Sequence, residues 1–159
     1  MISIITICKN SSPTINKTID SVIGQQFEGK LQYIVVDGAS TDETMEIVRS
    51  YGDRISKCIS EPDNGISDAF NKGVALADGD IIGIINSDDI LLSDTLQKVS
   101  SYFTEHPEVE VMHADLLLYD GDKLLKRLTP PKYWWIPWRM ILFKDRKSTR
   151  LNSSHVALS

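Results

Sequence analysis

Apolar residues along this chain alternate between two rhythms. Nearly unbroken apolar runs stand at residues 2–7 (ISIITI), 31–36 (LQYIVV) and 80–85 (DIIGII), with a weaker run at 55–60. Such runs suit strands buried on both faces, as in a parallel sheet. Between them, apolar residues recur every three or four positions, the spacing of an amphipathic helix. Ser12-Pro13 opens the first helical stretch, with Ile15, Ile19, Val22 and Ile23 on one side and Gly24 near its end. A cap followed by proline at the first helical position is a start signal. Ser40 or Thr41 is expected to cap a second helix, with Asp42 and Glu43 in the first turn, where the helix dipole favours acids, and Met45, Ile47 and Val48 inside. A third helix is expected over roughly 66–77, on Ile66, Phe70, Val74 and Ala77. A fourth starts from Ser93, carries Leu96, Val99 and Phe103, and stops at Pro107. Residues 109–113, 116–119 and 123–128 read as strands, the last two joined by Asp120-Gly121-Asp122 as a hairpin.

Strands alternating with helices predict an α/β fold, a Rossmann-like sandwich with a mainly parallel central sheet flanked by helices. The late hairpin adds an antiparallel element. No internal repeat or low-complexity linker interrupts the pattern. The chain has 159 residues, enough for one domain with a real core and marginal for two.

Asp88 and Asp89 follow directly on the apolar run that ends at Asn86. Open α/β sheets place ligands at the C-terminal ends of their strands. Adjacent carboxylates there repel unless a cation or a donor lies between them. Mg²⁺ or Mn²⁺ favours one or two carboxylates plus the oxygens of a diphosphate. The pair therefore suggests a metal–diphosphate site; an acidic turn capping the next helix is the alternative.

Charge refines this picture. The net charge of −5 combines an acidic body, with 20 acidic and 8 basic residues through residue 120, and a basic end. An acidic body argues against coating nucleic acid, so no nucleic-acid partner is expected. The basic end, with Lys123, Lys126, Arg127, Lys132 and Arg139, is either a solvated loop or a peripheral contact with an anionic lipid surface. Residues 1–7 lack a basic leader and a cleavage site and read as a first strand. Cys8 and Cys58 have no metal-like spacing. Together these features lead to the expectation of a reduced, cytoplasmic protein, at most resting on the inner face of the membrane.

Four segments should converge at the strand ends: Thr6 to Asn10, Asp37 to Asp42, Glu61 to Asp68 leading to Asn71-Lys72-Gly73, and Asn86 to Asp89. In this order and spacing, SIIT, VVDGASTD, DNGISDAFNKG and GDIIGIINSDD resemble the nucleotide-binding half of family 2 glycosyltransferases with a GT-A fold. The nearest likeness is to bacterial enzymes that build exopolysaccharide, O-antigen or related surface glycans. The resemblance covers roughly residues 2–143. It implies that residues 1–143 form a nucleotide-sugar-binding domain, incomplete at its C-terminus. It also assigns roles: Asp37 accepts the N3–H of uracil, Thr6 and Asn10 line the nucleoside pocket, and Asp68 lies near base or ribose. Lys72 could reach a phosphate or simply be a solvated helix lysine. Asp89 coordinates the metal, and Asp88 contacts the ribose or the metal's water shell. Asp115 stands on the sugar or acceptor side. Gly65 suits unusual dihedrals or close ligand approach. His106 and His113 read as structural. Tyr133, Trp134, Trp135, Ile136 and Trp138 form either packing or an acceptor-side or lipid-facing patch.

The implied activity is inverting, metal-assisted transfer from a nucleotide diphosphate sugar, a UDP-sugar first, to a glycan or lipid-linked acceptor. A non-catalytic nucleotide-binding module of the same fold is the alternative. The catalytic base is unknown: the family's base lies beyond the Asp-Asp motif, in an acidic segment not found before residue 144. Residues 144–159 resemble a translated adapter string and are expected to be a non-native tail, so His155 is given no role. A dinucleotide-binding oxidoreductase would need a Gly-rich turn after the first strand, where Lys9-Asn-Ser-Ser-Pro13 stands instead. A nucleotidyltransferase would want a Gly-rich basic phosphate loop there.

Overall fold

The computed structural model describes residues 1–120, 123–128 and 140–143. In chain order the elements are β1 (Ile2–Cys8), α1 (Ile15–Ile23), β2 (Leu31–Asp37), α2 (Thr44–Ser50), β3 (Lys57–Ser60), α3 (Ile66–Leu76), β4 (Ile81–Asn86), α4 (Thr95–Glu105), β5 (Val111–His113), β6 (Leu116–Asp120), β7 (Lys123–Leu128) and β8 (Met140–Phe143). Six strands form one sheet in the order β3-β2-β1-β4-β8-β5, and β6 pairs with β7 as a separate antiparallel hairpin. The first four are mutually parallel. The α/β class, the parallel centre and the late hairpin are as the sequence pattern predicts.

Strand β8 has no counterpart in that expectation. It runs antiparallel between β4 and β5. Four apolar residues carry no periodicity that separates strand from helix, and the partners of β8 on β4 are remote in sequence.

Side chains leave each strand alternately on its two faces. One face carries Ile2, Ile4, Tyr33 and Val35 against Ile15, Ile19 and Val22 of α1, Val48 of α2, and Leu96, Val99 and Phe103 of α4. The other carries Ile5, Ile34, Val36 and Ile82 against Ala69 of α3 and Ala77 just beyond it. Both faces are covered, which is why the parallel strands read as continuous apolar runs.

Helix starts differ from the expected positions. α1 begins at Ile15, after Thr14, not at Pro13. α2 begins at Thr44, because Asp42 is spent on the loop and turns its carboxylate to the Thr44 N–H. α4 begins at Thr95 after Asp94 in the left-handed region at φ 60°, a conformation Asp tolerates better than most side chains. His106 ends α4 with its ring 4.3 Å from that of Tyr102, centroid to centroid.

Several expectations lie outside the described residues: the turn at Gly121 and Asp122, the aromatic cluster with Lys132 and Arg139, and the segment from Lys144. Among the described residues, no helix is long and apolar enough to cross a membrane.

Helix α3 approaches the sheet closely at Gly73, where an added Cβ would stand 2.4 Å from Ile5 Cγ2. That methyl is anchored to a β-branched carbon and cannot swing aside. Gly73→Ala gains up to about 1 kcal/mol of helix propensity but incurs about 1–3 kcal/mol of overpacking. A lower urea midpoint, with a net loss of about 1 kcal/mol or more, is the expected result; an unchanged or higher midpoint would contradict this packing.

Candidate functional site

The chain leaves β1 toward β2 and β3, then crosses back to β4 on the other side of β1. Strand order thus reverses between β1 and β4, and a crevice opens where the following loops part in opposite directions. A cavity of about 550 Å³ lies there. Its walls are Ile7, Cys8, Lys9 and Ser11 leaving β1, Asn86 and Ser87 at the end of β4, and Asp63, Gly65, Ile66 and Ala69 around the start of α3.

A hydrogen-bond network sets the loops around this cavity. Asp37, the last residue of β2, is fully buried. Its Oδ2 accepts the Ser60 hydroxyl at 2.6 Å and the Ser40 N–H at 3.0 Å; its Oδ1 accepts the Ser40 hydroxyl and, more distantly, the Cys8 thiol at 3.7 Å. Burial first, then the neighbouring Asp37, pushes the Cys8 thiol far above its ordinary range, so it stays a neutral S–H donor. Ser40 Oγ also accepts the Asn10 N–H at 2.8 Å, and Asn10 Oδ1 accepts the Thr41 N–H at 2.9 Å. Asn10 takes φ 50° to make these contacts. Asp42 accepts the Ser12 N–H at 3.1 Å and the Thr44 hydroxyl at 2.5 Å, while the Ser11 N–H donates to Thr44 Oγ1 at 2.7 Å. Ser11 and Ser87 share a hydroxyl hydrogen bond at 2.8 Å, which ties the first loop to the end of β4.

The structure brings the expected segments together but gives several residues other work. Thr6 is fully buried, with its hydroxyl 3.0 Å from that of Tyr33. It is not among the cavity walls; it lies one residue pair deeper in β1 than Cys8, on the same face of the sheet. Asp37 is not among the cavity walls either; its oxygens accept from Cys8 at the end of β1, Ser60 at the end of β3 and Ser40 in the next loop. Asn10 clamps two loops instead of lining a pocket. Lys72 Nζ lies 2.9 Å from Glu61 Oε1, 3.5 Å from Asp68 Oδ2, and donates to the Pro62 carbonyl at 2.8 Å. These partners, Glu61 foremost, raise its pKa, and the ammonium bridges the β3–α3 loop to α3. Asp68 accepts the Asn64 N–H at 3.0 Å, which with Lys72 lowers its pKa. It ties the first turn of α3 to the loop before it and is not among the cavity walls. Asp115 receives Arg127 Nε at 2.7 Å and a second bond from the same guanidinium, fastening the β6–β7 hairpin.

Asp88 and Asp89 come immediately after the wall residues Asn86 and Ser87. Asp88 is exposed and Asp89 half-buried. Asn86 Nδ2 donates to Asp89 Oδ2 at 3.1 Å, and the Asp89 carbonyl accepts the Thr18 hydroxyl at 2.8 Å, so the turn is fixed from two sides. Among the described residues no cluster of three or more His, Cys, Asp or Glu is placed to hold a metal. Two hard carboxylates suit a cation that takes further oxygens from substrate and water, as Mg²⁺ and Mn²⁺ do.

Lys9 and Asp63 are cavity walls that sequence reasoning passed over. Both stand where the topology puts ligands, directly after β1 and just before α3. Gly65, at φ 104°, makes the turn between Asp63 and the helix.

Residues 3–158 match glycosyl transferase family 2, a span that runs on past Lys144. The chain belongs to that family. It is 32% identical over 139 residues to a PGL/p-HBAD biosynthesis glycosyltransferase of Mycobacterium bovis, across 79% of this chain and 54% of the relative. It is 28% identical over 120 residues to the poly(ribitol-phosphate) beta-N-acetylglucosaminyltransferase TarS of Staphylococcus aureus, across 73% of this chain and 20% of that protein. Among solved structures, TarS in complex with UDP-GlcNAc superposes with a TM-score of 0.63 at 26% identity, covering 69% of this chain and 32% of that one. The mannosyltransferase PcManGT from Pyrobaculum calidifontis, in complex with GDP-Man and Mn²⁺, superposes with a TM-score of 0.64 at 27% identity, covering 69% and 34%. The GT-A fold is thus common to this chain and its structural neighbours. The chain spans about half the length of the mycobacterial relative (54%).

Asp42 offers a test of the loop network. Its bonds with Thr44, then Ser12, hold its pKa at about 2, against about 3.9 for an unfolded Asp. A depressed folded pKa contributes stability that is present above about pH 4 and lost as pH falls toward about 2. Asp42→Asn is expected to melt below the wild type at pH 5, with the gap shrinking between pH 4 and pH 2.5. A gap independent of pH would reject the ionic role.

Proposed function

We propose that this chain supplies the donor site of an inverting glycosyltransferase that takes a nucleotide diphosphate sugar, a UDP-sugar first, and transfers the sugar to a glycan or lipid-linked acceptor. The observation that carries this reading is the cavity at the strand-order reversal, with Asp88 and Asp89 directly behind two of its wall residues. The UDP-GlcNAc and GDP-Man bound by the two structural neighbours support it, as does the Mn²⁺ of one of them.

On this reading the nucleotide lies across the ends of β1 and β4. Asp89, held by Asn86, and Asp88, free to approach from solvent, would ligate Mg²⁺ or Mn²⁺. Bound there, the cation would offset charge developing on the departing diphosphate. Lys9, a cation on the cavity wall, adds attraction for the anionic donor. The acceptor oxygen forms its bond to the anomeric carbon as the bond from that carbon to the diphosphate breaks, and the nucleoside diphosphate leaves with the electron pair. The acceptor proton passes to a carboxylate base that is not assigned among the described residues. Asp115, oriented by Arg127, is the acceptor-side carboxylate of this scheme. Its natural setting is the cytoplasmic side of a cell envelope under construction.

With Mn²⁺ present, UDP at a hundredfold its dissociation constant should stabilise the protein by about 2.7 kcal/mol, seen as a higher melting temperature. Asp89→Ala should abolish the metal-dependent part of UDP binding in calorimetry. Absence of binding of both UDP and GDP by the wild type with Mn²⁺ would overturn the donor-site reading, and unchanged affinity in the variant would reject Asp89 as ligand.

A further inference from the structure

The acid pair after β4 is followed by Ile90, Leu91 and Leu92, a stretch that is neither strand nor helix. Its backbone groups need partners that regular structure does not supply. Helix α1 supplies them from one stripe of its surface. The Thr18 hydroxyl donates to the Asp89 carbonyl at 2.8 Å. Ser21 Oγ accepts the Leu91 N–H at 3.1 Å. Gln25, just past the helix end, donates to the Leu92 carbonyl at 2.9 Å and accepts the Leu96 N–H at 3.2 Å. Spacings of three and four residues line up positions 18, 21 and 25 as rungs of one ladder. Leu91, between the rungs, is buried in the same core cluster as Leu96. The other end of α1 grows out of the first loop, where the Ser11 carbonyl accepts the Thr14 and Ile15 N–H groups, each at 3.0 Å. One helix therefore runs from a cavity wall to the acid turn. Asp89 is held at three points: its N–H by the Asn86 carbonyl at 3.2 Å, its carbonyl by Thr18, and its Oδ2 by Asn86 Nδ2. Thr18 is fully buried inside the helix, a place where threonine has no advantage of its own. Its hydroxyl serves a segment 71 residues away.

We propose that Thr18 is a positioning residue for the divalent cation of the donor site, acting through the main chain of Asp89. This inference rests on the donor-site reading above. Thr18 itself touches neither cation nor nucleotide. A metal ligand must be held to within about 0.5 Å of its working position, and a carboxylate moves with the backbone that carries it. Without the Thr18 hydroxyl the Asp89 carbonyl loses a donor, and the turn relaxes toward another one. The Asp89 carboxylate shifts with it. Outer partners of a metal ligand typically govern about 10–100-fold in metal affinity. The far rung, Gln25, holds Leu92 and Leu96, so its loss loosens the start of α4 and leaves the Asp89 carbonyl bonded.

The test is calorimetric titration of UDP and of GDP over a series of Mn²⁺ concentrations and in EDTA, with thermal melting of each variant. Thr18→Val keeps the branched shape and removes the donor. It should raise the Mn²⁺ concentration for half-maximal nucleotide binding at least about tenfold, while the affinity in EDTA stays within about twofold of wild type. Thr18→Ser, which keeps the hydroxyl, should restore the wild-type Mn²⁺ requirement. Gln25→Ala should lower the melting temperature yet leave that requirement within about twofold. In an Asp89→Ala background, Thr18→Val should change nucleotide affinity no further. Thr18→Cys, whose S–H is a weak donor, replaces Thr18→Val if the valine variant does not fold, with a shift of the same sign expected. A merely structural Thr18 would weaken binding alike with and without metal, and Gln25→Ala would then shift the Mn²⁺ requirement as much as Thr18→Val; either result rejects the assignment. A wild type that binds UDP or GDP with Mn²⁺, and a Thr18→Val variant with the same Mn²⁺ requirement, overturn the role of Thr18 and leave the donor site standing. A wild type that binds neither nucleotide with Mn²⁺ overturns both.

Discussion

The arrangement at the strand ends depends on one buried carboxylate. Asp37 sits in the end of β2 with no access to water, so each of its oxygens must find a donor within the protein. It finds them on three different segments: Cys8 in β1, Ser40 in the loop after β2, and Ser60 at the end of β3. Meeting that demand draws the three segments into one place. From Ser40 the constraint passes to Asn10, and from Asn10 to Thr41. The first loop is thereby held at the height that makes Lys9 and Ser11 cavity walls. A residue outside the cavity wall can in this way set the shape of the site.

The same logic runs through the other acids near the site. Asp42 holds the Ser12 N–H and Thr44, Asp68 holds the Asn64 N–H and Lys72, and Asp115 holds Arg127. Each turns a loop into a defined shape. The acids proposed for external work are the exposed Asp88 and Asp89 beside it. Part of the acidic body inferred from the charge count is therefore scaffolding.

Much of the fold was legible because burial on both faces leaves a plain signature. The runs around Ile4, Ile34 and Ile84 gave three parallel strands, and the helical spacing of Ile15, Ile19 and Val22 gave α1. The helix starts were less legible. Asp42 and Asp94 can serve a cap, a turn or a loop with the same chemistry, and the choice depends on partners such as Ser12 that are distant in sequence. β8 was invisible because its strand character comes from a slot between β4 and β5, not from its own four residues.

For the site, the order of the four motifs was enough to name the family and to point to three of the segments that wall the cavity. The sequence by itself determined the parallel α/β framework, the segments that meet at its strand ends, and the acid pair that follows β4. Only the tertiary structure decided which side chain in each segment faces the cavity. Thr6 is buried against Tyr33, and donors from β1, β3 and the next loop surround Asp37. An ion pair joins Lys72 to Glu61. The missing side chain at Gly38 leaves room for Asp63. A motif records which residues are adjacent along the chain, whereas the direction of a side chain is set by partners that folding brings from elsewhere.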